Sequence, residues 1–160
     1  MMEFYPVKPA PGGKPLGAAY THLACKPGWC VQAKMDGWRA VWDGETLWTR
    51  TGNRITNAPG VVAALEGVDR VVDGELVDGV FYAFDLADHE GTYRHRHADM
   101  MDALPWGEFV KPMPTGIDWA DVVDNDWEGV VIKRWRSYYP KATRAGRTTS
   151  DWLKFRAAWL

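Results

Sequence analysis

The chain has 160 residues, 46% of them hydrophobic and 25% charged, with a formal net charge of -2. That composition excludes a disordered or fibrous chain, and the length suffices for a single domain, 1–160, with a buried core. No apolar run reaches the roughly 20 residues of a membrane helix, and "MMEFYPVKPAPGGKP" lacks the basic and then apolar sections of a signal peptide, so a cytoplasmic, non-secreted protein without a membrane partner is expected.

Residues 6–17 are rich in Pro and Gly and read as an extended lead-in that ends near residue 20. Cys25 and Cys30 are the two cysteines; with no second pair to complete a zinc site, they are expected as reduced structural thiols. From Trp29 to Arg50 the runs "WCVQAKM", "WRAVWD" and "ETLWTR" are separated by Asp-Gly at 36–37 and 43–44, which predicts a three-stranded meander. "NAPGVVAALEG" predicts a short helix with Pro59 in its first turn and Gly67 at its exit. "RVVDGELVD" and "VFYAFDLAD" predict two strands joined as a hairpin at Asp78-Gly79.

"TYRHRHADMMDALP" predicts a helix with Thr92 as N-cap that stops before Pro105. "EGVVIKRW" and "DWLKFRAAW" predict two late strands joined by a basic loop over 136–150. Many strands joined by hairpins, with few helices, predict an α+β fold of largely antiparallel sheets with flanking helices.

Charge is unevenly spread. Residues 60–128 hold 16 acidic against 4 basic side chains, whereas residues 129–156 hold 8 basic against one acidic, Asp151. A basic segment interleaved with Trp135, Tyr138, Tyr139 and Trp152 suits a phosphate backbone, because cations pair with phosphates and rings offer stacking surfaces. A solvated loop is the alternative.

Side chains two apart on a strand share a face, so Gln32 and Lys34 point the same way. By the same parity Asp73 and Glu75 share a face, as do Tyr82 and Phe84. Trp152, Lys154 and Arg156 share another, leaving Leu153 and Phe155 for the buried side. Charged faces backed by apolar ones build clefts on sheets. A lysine in such a cleft acts as a nucleophile once its proton is lost, and nearby cations favour that loss. Glu75 and Glu128 then suit a ribose hydroxyl or Mg²⁺, because hard oxygen donors suit that ion.

"KMDGWR" at 34–39 resembles the K-x-D-G-x-R motif of ATP-dependent DNA ligases and related covalent nucleotidyltransferases. "TRTGN" at 49–53, "DGEL" at 73–76, "FYAFD" at 81–85, "EGVVIK" at 128–133 and "DWLKFR" at 151–156 follow in the order of that family. The resemblance runs from about Trp29 to Arg156 and implies the ligase and capping-enzyme nucleotidyltransferase fold, which is similar to ATP-grasp.

The resemblance further implies that Lys34 attacks the α-phosphorus of ATP and that Asp36 orients the nucleophile and metal. Arg39 would contact the nucleotide and the substrate phosphate, Arg50 the 5′-phosphate of nicked double-stranded DNA, and Glu75 the ribose. Phe84 would stack on adenine with Val131 or a neighbour on its other face. Glu128 would place Mg²⁺, or Mn²⁺ in its stead, and Lys154 would hold the α-phosphate with Arg156 beside it. Gln32 stands where Glu is frequent; its amide oxygen still accepts from an adenine amino group. Arg156 stands where Lys is usual, which keeps the charge and changes its geometry.

Family members continue into an oligonucleotide-binding barrel after this motif, and the present chain ends at Leu160. The expectation is either an excised domain or a naturally small, monomeric protein that acts alone or with a partner in a barrel-like role, in which self-adenylylation is the step most impaired and sealing of a pre-adenylylated nick survives. An RNA ligase or capping guanylyltransferase is the nearest rival, and a non-catalytic nick or nucleotide binder a more distant one. His89, His95 and His97 read as a solvated helix face rather than a metal site, because positions two apart on a helix diverge.

Overall fold

Alternating apolar residues fold this sequence into two sheets, and the expected α+β class with largely antiparallel pairing is what the structure has. It is a computed structural model and describes residues 4–142 and 144–160. In chain order the elements are β1 (Lys8–Pro11), α1 (Ala18–Ala24), β2 (Trp29–Lys34), β3 (Trp38–Trp42), β4 (Leu47–Thr49), α2 (Pro59–Leu65) and β5 (Val72–Val77). There follow β6 (Val80–Leu86), α3 (Tyr93–Ala103), β7 (Val110–Pro112), α4 (Trp119–Asp124), β8 (Gly129–Arg134), β9 (Thr148–Arg156) and a 3-10 turn, Ala157–Trp159.

Two compact units share these elements. The first takes the chain up to Val7, then Gly37–Met113 and Tyr138–Arg147; the second takes Lys8–Asp36, Pro114–Ser137 and Thr148–Leu160. The first holds a five-stranded sheet in the order β4-β3-β5-β6-β7, antiparallel except for β6 with β7. Its inner face carries Ala40, Trp42, Val72, Phe81, Ala83 and Leu86, packed on Val61 and Leu65 of α2 and Met100 of α3. Each large side chain removed from water in this way contributes about 1.5–3 kcal/mol. The β5–β6 hairpin turns on Asp78 and Gly79, both at positive φ (49° and 78°), the backbone of a two-residue turn that suits the twist of paired strands.

The second unit holds a four-stranded sheet in the order β1-β9-β8-β2. Val31, Val130, Ile132 and Phe155 form its apolar face, covered by Tyr20 of α1 and by Trp119 and Val122 of α4. The outer edge of β2 is closed by the segment after Met113: the Ala33 amide donates to the Pro114 carbonyl and the Gly116 amide to that of Val31.

The predicted meander is corrected here. β3 and β4 do form a hairpin at Asp43-Gly44, but β2 pairs with β8 across 94 residues of chain, and Asp36-Gly37 is where the chain passes from the second unit to the first. An Asp-Gly dipeptide marks a turn without specifying which strands pair around it. The Asp43 carboxylate supplies what the first site lacks: Oδ1 accepts from the Glu45 and Thr46 amides and Oδ2 from the Trp48 indole. The lead-in contains a strand, β1, and α1 starts at its end; these, with α4 and β7, are not predicted from the sequence.

Inside the first unit Asp85 and Arg96 are both fully buried and paired, Nε to Oδ1 at 2.7 Å and Nη2 to Oδ2 at 3.2 Å, while Nη1 donates to the Gly91 carbonyl at 3.0 Å. Replacing the carboxylate by Asp85→Ala strands a charged guanidinium in the core and is expected to cost about 3–5 kcal/mol of unfolding free energy. Urea titration measures it, and a loss below about 1 kcal/mol would contradict the role of this pair.

Candidate active site

The second unit arranges its charged residues in rows across the sheet. Lys34 at the end of β2 lies opposite Gly129 of β8, and Gly129 lies opposite Arg156 of β9. A Cβ on Gly129 would collide with the Phe155 carbonyl, so this close approach of β8 to β9 needs glycine. Glu128, just before it, bridges the row: Lys34 Nζ donates to Oε2 at 2.8 Å, and Arg156 Nε lies 2.8 Å from Oε1. The second contact is ionic and not aligned for a hydrogen bond.

The next row places Gln32, Val131 and Lys154 side by side, with Pro11 of β1 beyond Lys154. Gln32 and Val131 are both buried. The third row brings together Cys30, Lys133 and Trp152, with the Lys133 ammonium 4.3 Å from the Trp152 ring centre. Burial pushes the Cys30 thiol up to about 11 against the opposing pull of Lys133 and the Gly116 amide, so Cys30 is an inert thiol, while Cys25 is exposed. The predicted parity of Trp152, Lys154 and Arg156, opposite Leu153 and Phe155, is met by this register.

Lys154 has its pKa lowered, first by partial desolvation and then by Lys34, Lys8 and Arg156, with Glu128 pulling the other way. The cluster of Lys34, Lys8, Lys154 and Arg156 about Glu128 thus concentrates cations beyond what that carboxylate neutralises, a ready site for a polyanion. Asp36 is exposed in the segment that leaves β2.

In the first unit the anchor is Asp73, fully buried on β5. Its Oδ1 accepts from Arg39 Nε at 2.7 Å, and its Oδ2 accepts from Arg39 Nη2 at 2.6 Å and from the Tyr139 hydroxyl at 2.6 Å. Arg39 Nη2 also donates to the Val7 carbonyl. Burial opposes the Arg39 charge, but Asp73, Tyr139 and Glu75 outweigh it and hold the guanidinium pKa above its ordinary value. Burial and Asp73 together raise the Tyr139 phenol well above its own, so it stays a donor.

Glu75 pairs with Arg39 across β3 and β5 and shares the Asp73 face, as parity predicts. Phe84 shares the face of Tyr82, as parity predicts, because Tyr82 lies opposite Glu75 and Glu75 opposite Arg39. Asp73 pairs with Asp85 and Gly74 with Ala83, which leaves Phe84 as the extra residue of a β-bulge on β6. The parity break falls after it, at Asp85, and the Phe84 ring stays on the Arg39 side, where the guanidinium carbon lies 4.9 Å from its centre.

Arg50 is exposed on the turn after β4, which Thr49 closes by accepting the Asn53 amide at its hydroxyl and donating its own amide to the Asn53 carbonyl. Beside it opens a cavity of about 360 Å³ whose lining includes Trp38, Thr49, Arg54, Asn57 and Asp78. Trp38 is 78% exposed. Of the aromatics expected as stacking surfaces in the basic segment, Tyr138 is exposed, but Tyr139 and Trp152 are buried by Asp73 and Lys133 respectively and are withdrawn from that role. Lys141, Arg144 and Arg147 line an open basic hollow.

The sequence offers Tyr139 as a stacking ring but not as the partner of Asp73, and it does not connect Lys8 with Lys154. Tyr139 lies 66 residues from Asp73, and no local pattern links them. Lys8 was passed over in a stretch read as a Pro-rich lead-in, although a cation in an extended run was there to be seen.

Neither a protein-family model nor a curated protein matches the chain. Solved structures do. A mycobacterial DNA ligase D complexed with ATP and MES is similar at 21% identity and a TM-score of 0.69, over 96% of this chain and 60% of that one. Chlorella virus DNA ligase-adenylate matches at 17% identity and 0.68, over 95% and 68%, and a Lig E DNA ligase described as a minimal DNA-binding scaffold at 19% and 0.67, over 94% and 69%. The chain has the fold of DNA ligase nucleotidyltransferase domains and spans about three fifths to two thirds of the length of these neighbours.

Because the Lys154 pKa is depressed, its charged form is disfavoured by folding. This penalty is full at neutral pH and lifts as pH rises from the folded pKa toward 10.5, where the unfolded chain still binds the proton. Lys154→Met is therefore expected to raise the thermal midpoint at pH 7, by an amount that shrinks as pH approaches 10.5. Scanning calorimetry at both pH values measures this, and a pH-independent difference would count against charge as the cause.

Proposed function

We propose that this chain is the nucleotidyltransferase domain of an ATP-dependent DNA ligase. The observation that carries the reading is the Lys34–Glu128–Arg156 row with Lys154 beside it, on the fold of DNA ligase domains. A primary amine held by a carboxylate among phosphate-binding cations is what nucleotidyl transfer to lysine requires.

The neutral Lys34 amine attacks the α-phosphorus of ATP. An N–P bond forms, and the bond to the bridging oxygen breaks with its electron pair leaving on pyrophosphate. Glu128 Oε2, 2.8 Å from Nζ, is the acceptor within reach of the lysine proton. An oxygen of a DNA 5′-phosphate then attacks the same phosphorus, and the N–P bond breaks as lysine regains a proton. Finally the 3′-hydroxyl attacks the 5′-phosphorus, loses its proton and expels AMP, which closes the strand. Lys154 and Arg156 neutralise the charge that gathers on the phosphoryl oxygens.

In the second unit Gln32 offers an amide to a base edge and Val131 an apolar surface to its ring. In the first unit Phe84 is the stacking ring, Glu75 the partner of a ribose hydroxyl and Arg39 the phosphate contact that Asp73 and Tyr139 preorganise. Arg50 receives the DNA 5′-phosphate, and Asp36 orients the reacting groups. Trp38, Tyr138 and the 141–147 cations are the surfaces offered to nicked duplex DNA.

No set of three acidic, His or Cys side chains among the described residues forms a metal cage. Glu128 alone fits the pattern in which Mg²⁺ takes one or two carboxylates and completes its shell with water and substrate phosphates; its two oxygens, each turned to a cation, retain lone pairs for an ion. Bound there, Mg²⁺ or Mn²⁺ would polarise the phosphates and neutralise their charge.

Incubation with ATP and Mg²⁺ is expected to add one AMP to the intact mass, absent in Lys34→Ala, and the protein is expected to seal a nick, pre-adenylylated or not. No adduct together with no sealing of a pre-adenylylated nick would end the reading. GTP in place of ATP, and nicked RNA in place of DNA, separate it from capping and RNA-ligase activities, a comparison made pertinent by Gln32, whose amide can donate as well as accept. Phe84→Ala is expected to raise the ATP concentration needed for half-maximal adduct formation about tenfold, the size of one lost base–aromatic stack. An unchanged requirement would remove Phe84 from the site.

A further inference from the structure

The cation excess about Glu128 includes a residue to which neither motif nor fold assigns a role. β1 runs parallel to β9 and pairs Lys8 with Thr148, Pro9 with Thr149, Ala10 with Leu153 and Pro11 with Lys154. Between Pro9 and Ala10 the register slips, so β9 spends six residues from Thr148 to Lys154 where β1 spends three from Lys8 to Pro11. At about 3.3 Å per residue this places Lys8 about 10 Å along β1 from the Lys154 row, instead of about 20 Å, close enough for its charge to act on Lys154. The Gly12 amide donates to the Lys154 carbonyl at 3.0 Å and pins the end of the strand.

We propose that Lys8 is a fourth phosphate-binding cation of this cluster, which holds the β- and γ-phosphates of the donor nucleotide and then the departing pyrophosphate. The inference rests on the nucleotidyltransferase reading for its substrate, and on the β1–β9 pairing for its geometry. Lys8, Lys34, Lys154 and Arg156 stand against the single Glu128 carboxylate, and Glu128 is already shared between Lys34 and Arg156. The charge of Lys8 opposes that of Lys154 more strongly than does Arg156, two residues along the same strand. An α-phosphate at Lys34 and Lys154 uses part of this charge; the remainder matches the two further phosphates of a nucleoside triphosphate. When the Pα–O bond breaks, its electron pair leaves on pyrophosphate, and a cation there stabilises the leaving group.

The test combines a binding measurement with two rates. Titration calorimetry with inorganic pyrophosphate compares the parent protein with Lys8→Met, Lys8→Arg and, as a control on the same lead-in, Lys14→Met. Lys8→Met is expected to weaken pyrophosphate binding about tenfold, the scale of one charge-assisted hydrogen bond, Lys8→Arg to restore most of it, and Lys14→Met to change nothing. Lys34-AMP formation from ATP should slow by a similar factor in Lys8→Met, while sealing of a pre-adenylylated nick stays within about twofold of the parent. Equal pyrophosphate affinity in parent and Lys8→Met, no pyrophosphate binding by the parent, or equal loss in both rates would overturn the role of Lys8. A parent that binds pyrophosphate through Lys8 yet neither forms an AMP adduct nor seals a pre-adenylylated nick would leave the anion site standing and remove the ligase reading.

Discussion

The second unit is organised around one carboxylate. Glu128 holds Lys34 through one oxygen and Arg156 through the other, and so fixes two cations that would otherwise repel across the sheet. Gly129 makes the arrangement possible, because any side chain there would push β9 away and separate the two charges. The bridge neutralises only part of the positive charge. The Lys154 pKa is depressed first by partial desolvation and then by that remainder, carried by Lys34, Lys8 and Arg156. A folded unit that keeps such an excess carries an electrostatic penalty, which an incoming polyanion relieves.

The first unit solves the opposite problem, that of holding a cation rigid. Asp73 is fully buried and takes three hydrogen bonds, two from Arg39 and one from Tyr139. A buried carboxylate with these partners orders its arginine far better than an exposed pair would, since exposed pairs are weak and mobile. The Phe84 ring then stacks against that ordered guanidinium. Under the ligase reading, phosphate contact and base contact are both arranged before any ligand arrives, which lowers the ordering cost of binding.

Much of this was legible in the sequence, and the failures have physical causes. Strand parity placed Lys154 and Arg156 opposite Phe155, and Glu75 beside Asp73, because side-chain alternation is a local property. The same rule placed Phe84 with Tyr82 on the Arg39 side, but not the bulge after it, which adds Asp85 to that face and returns Leu86 to the core, since an inserted bulge residue leaves no mark in composition. Asp36-Gly37 looked like Asp43-Gly44, yet only the second closes a hairpin; the difference lies in a pairing of β2 with β8 that local propensity does not encode. α1 begins at Gly17 with no capping side chain and no acid in its first turn, so nothing announced it. α4 did announce itself: Asp118 and Asp121 form a reciprocal capping box ahead of Val122, a signal present in "DWAD" and overlooked.

Long-range partners explain the rest of the difference between motif and site. The motifs named Lys34, Arg39 and Glu128, but not that Lys34 and Arg156 share one carboxylate or that Arg39 is held by a tyrosine from the basic segment. That segment divides by burial into two jobs. Tyr139 turns inward to support Arg39, and Tyr138 with Lys141, Arg144 and Arg147 stays outward. A charge-rich stretch read as a nucleic-acid surface is therefore also a structural brace. Substitutions at Tyr139 act on Arg39, whereas those at Tyr138 act on whatever meets the exposed face, although the two residues are neighbours in the chain.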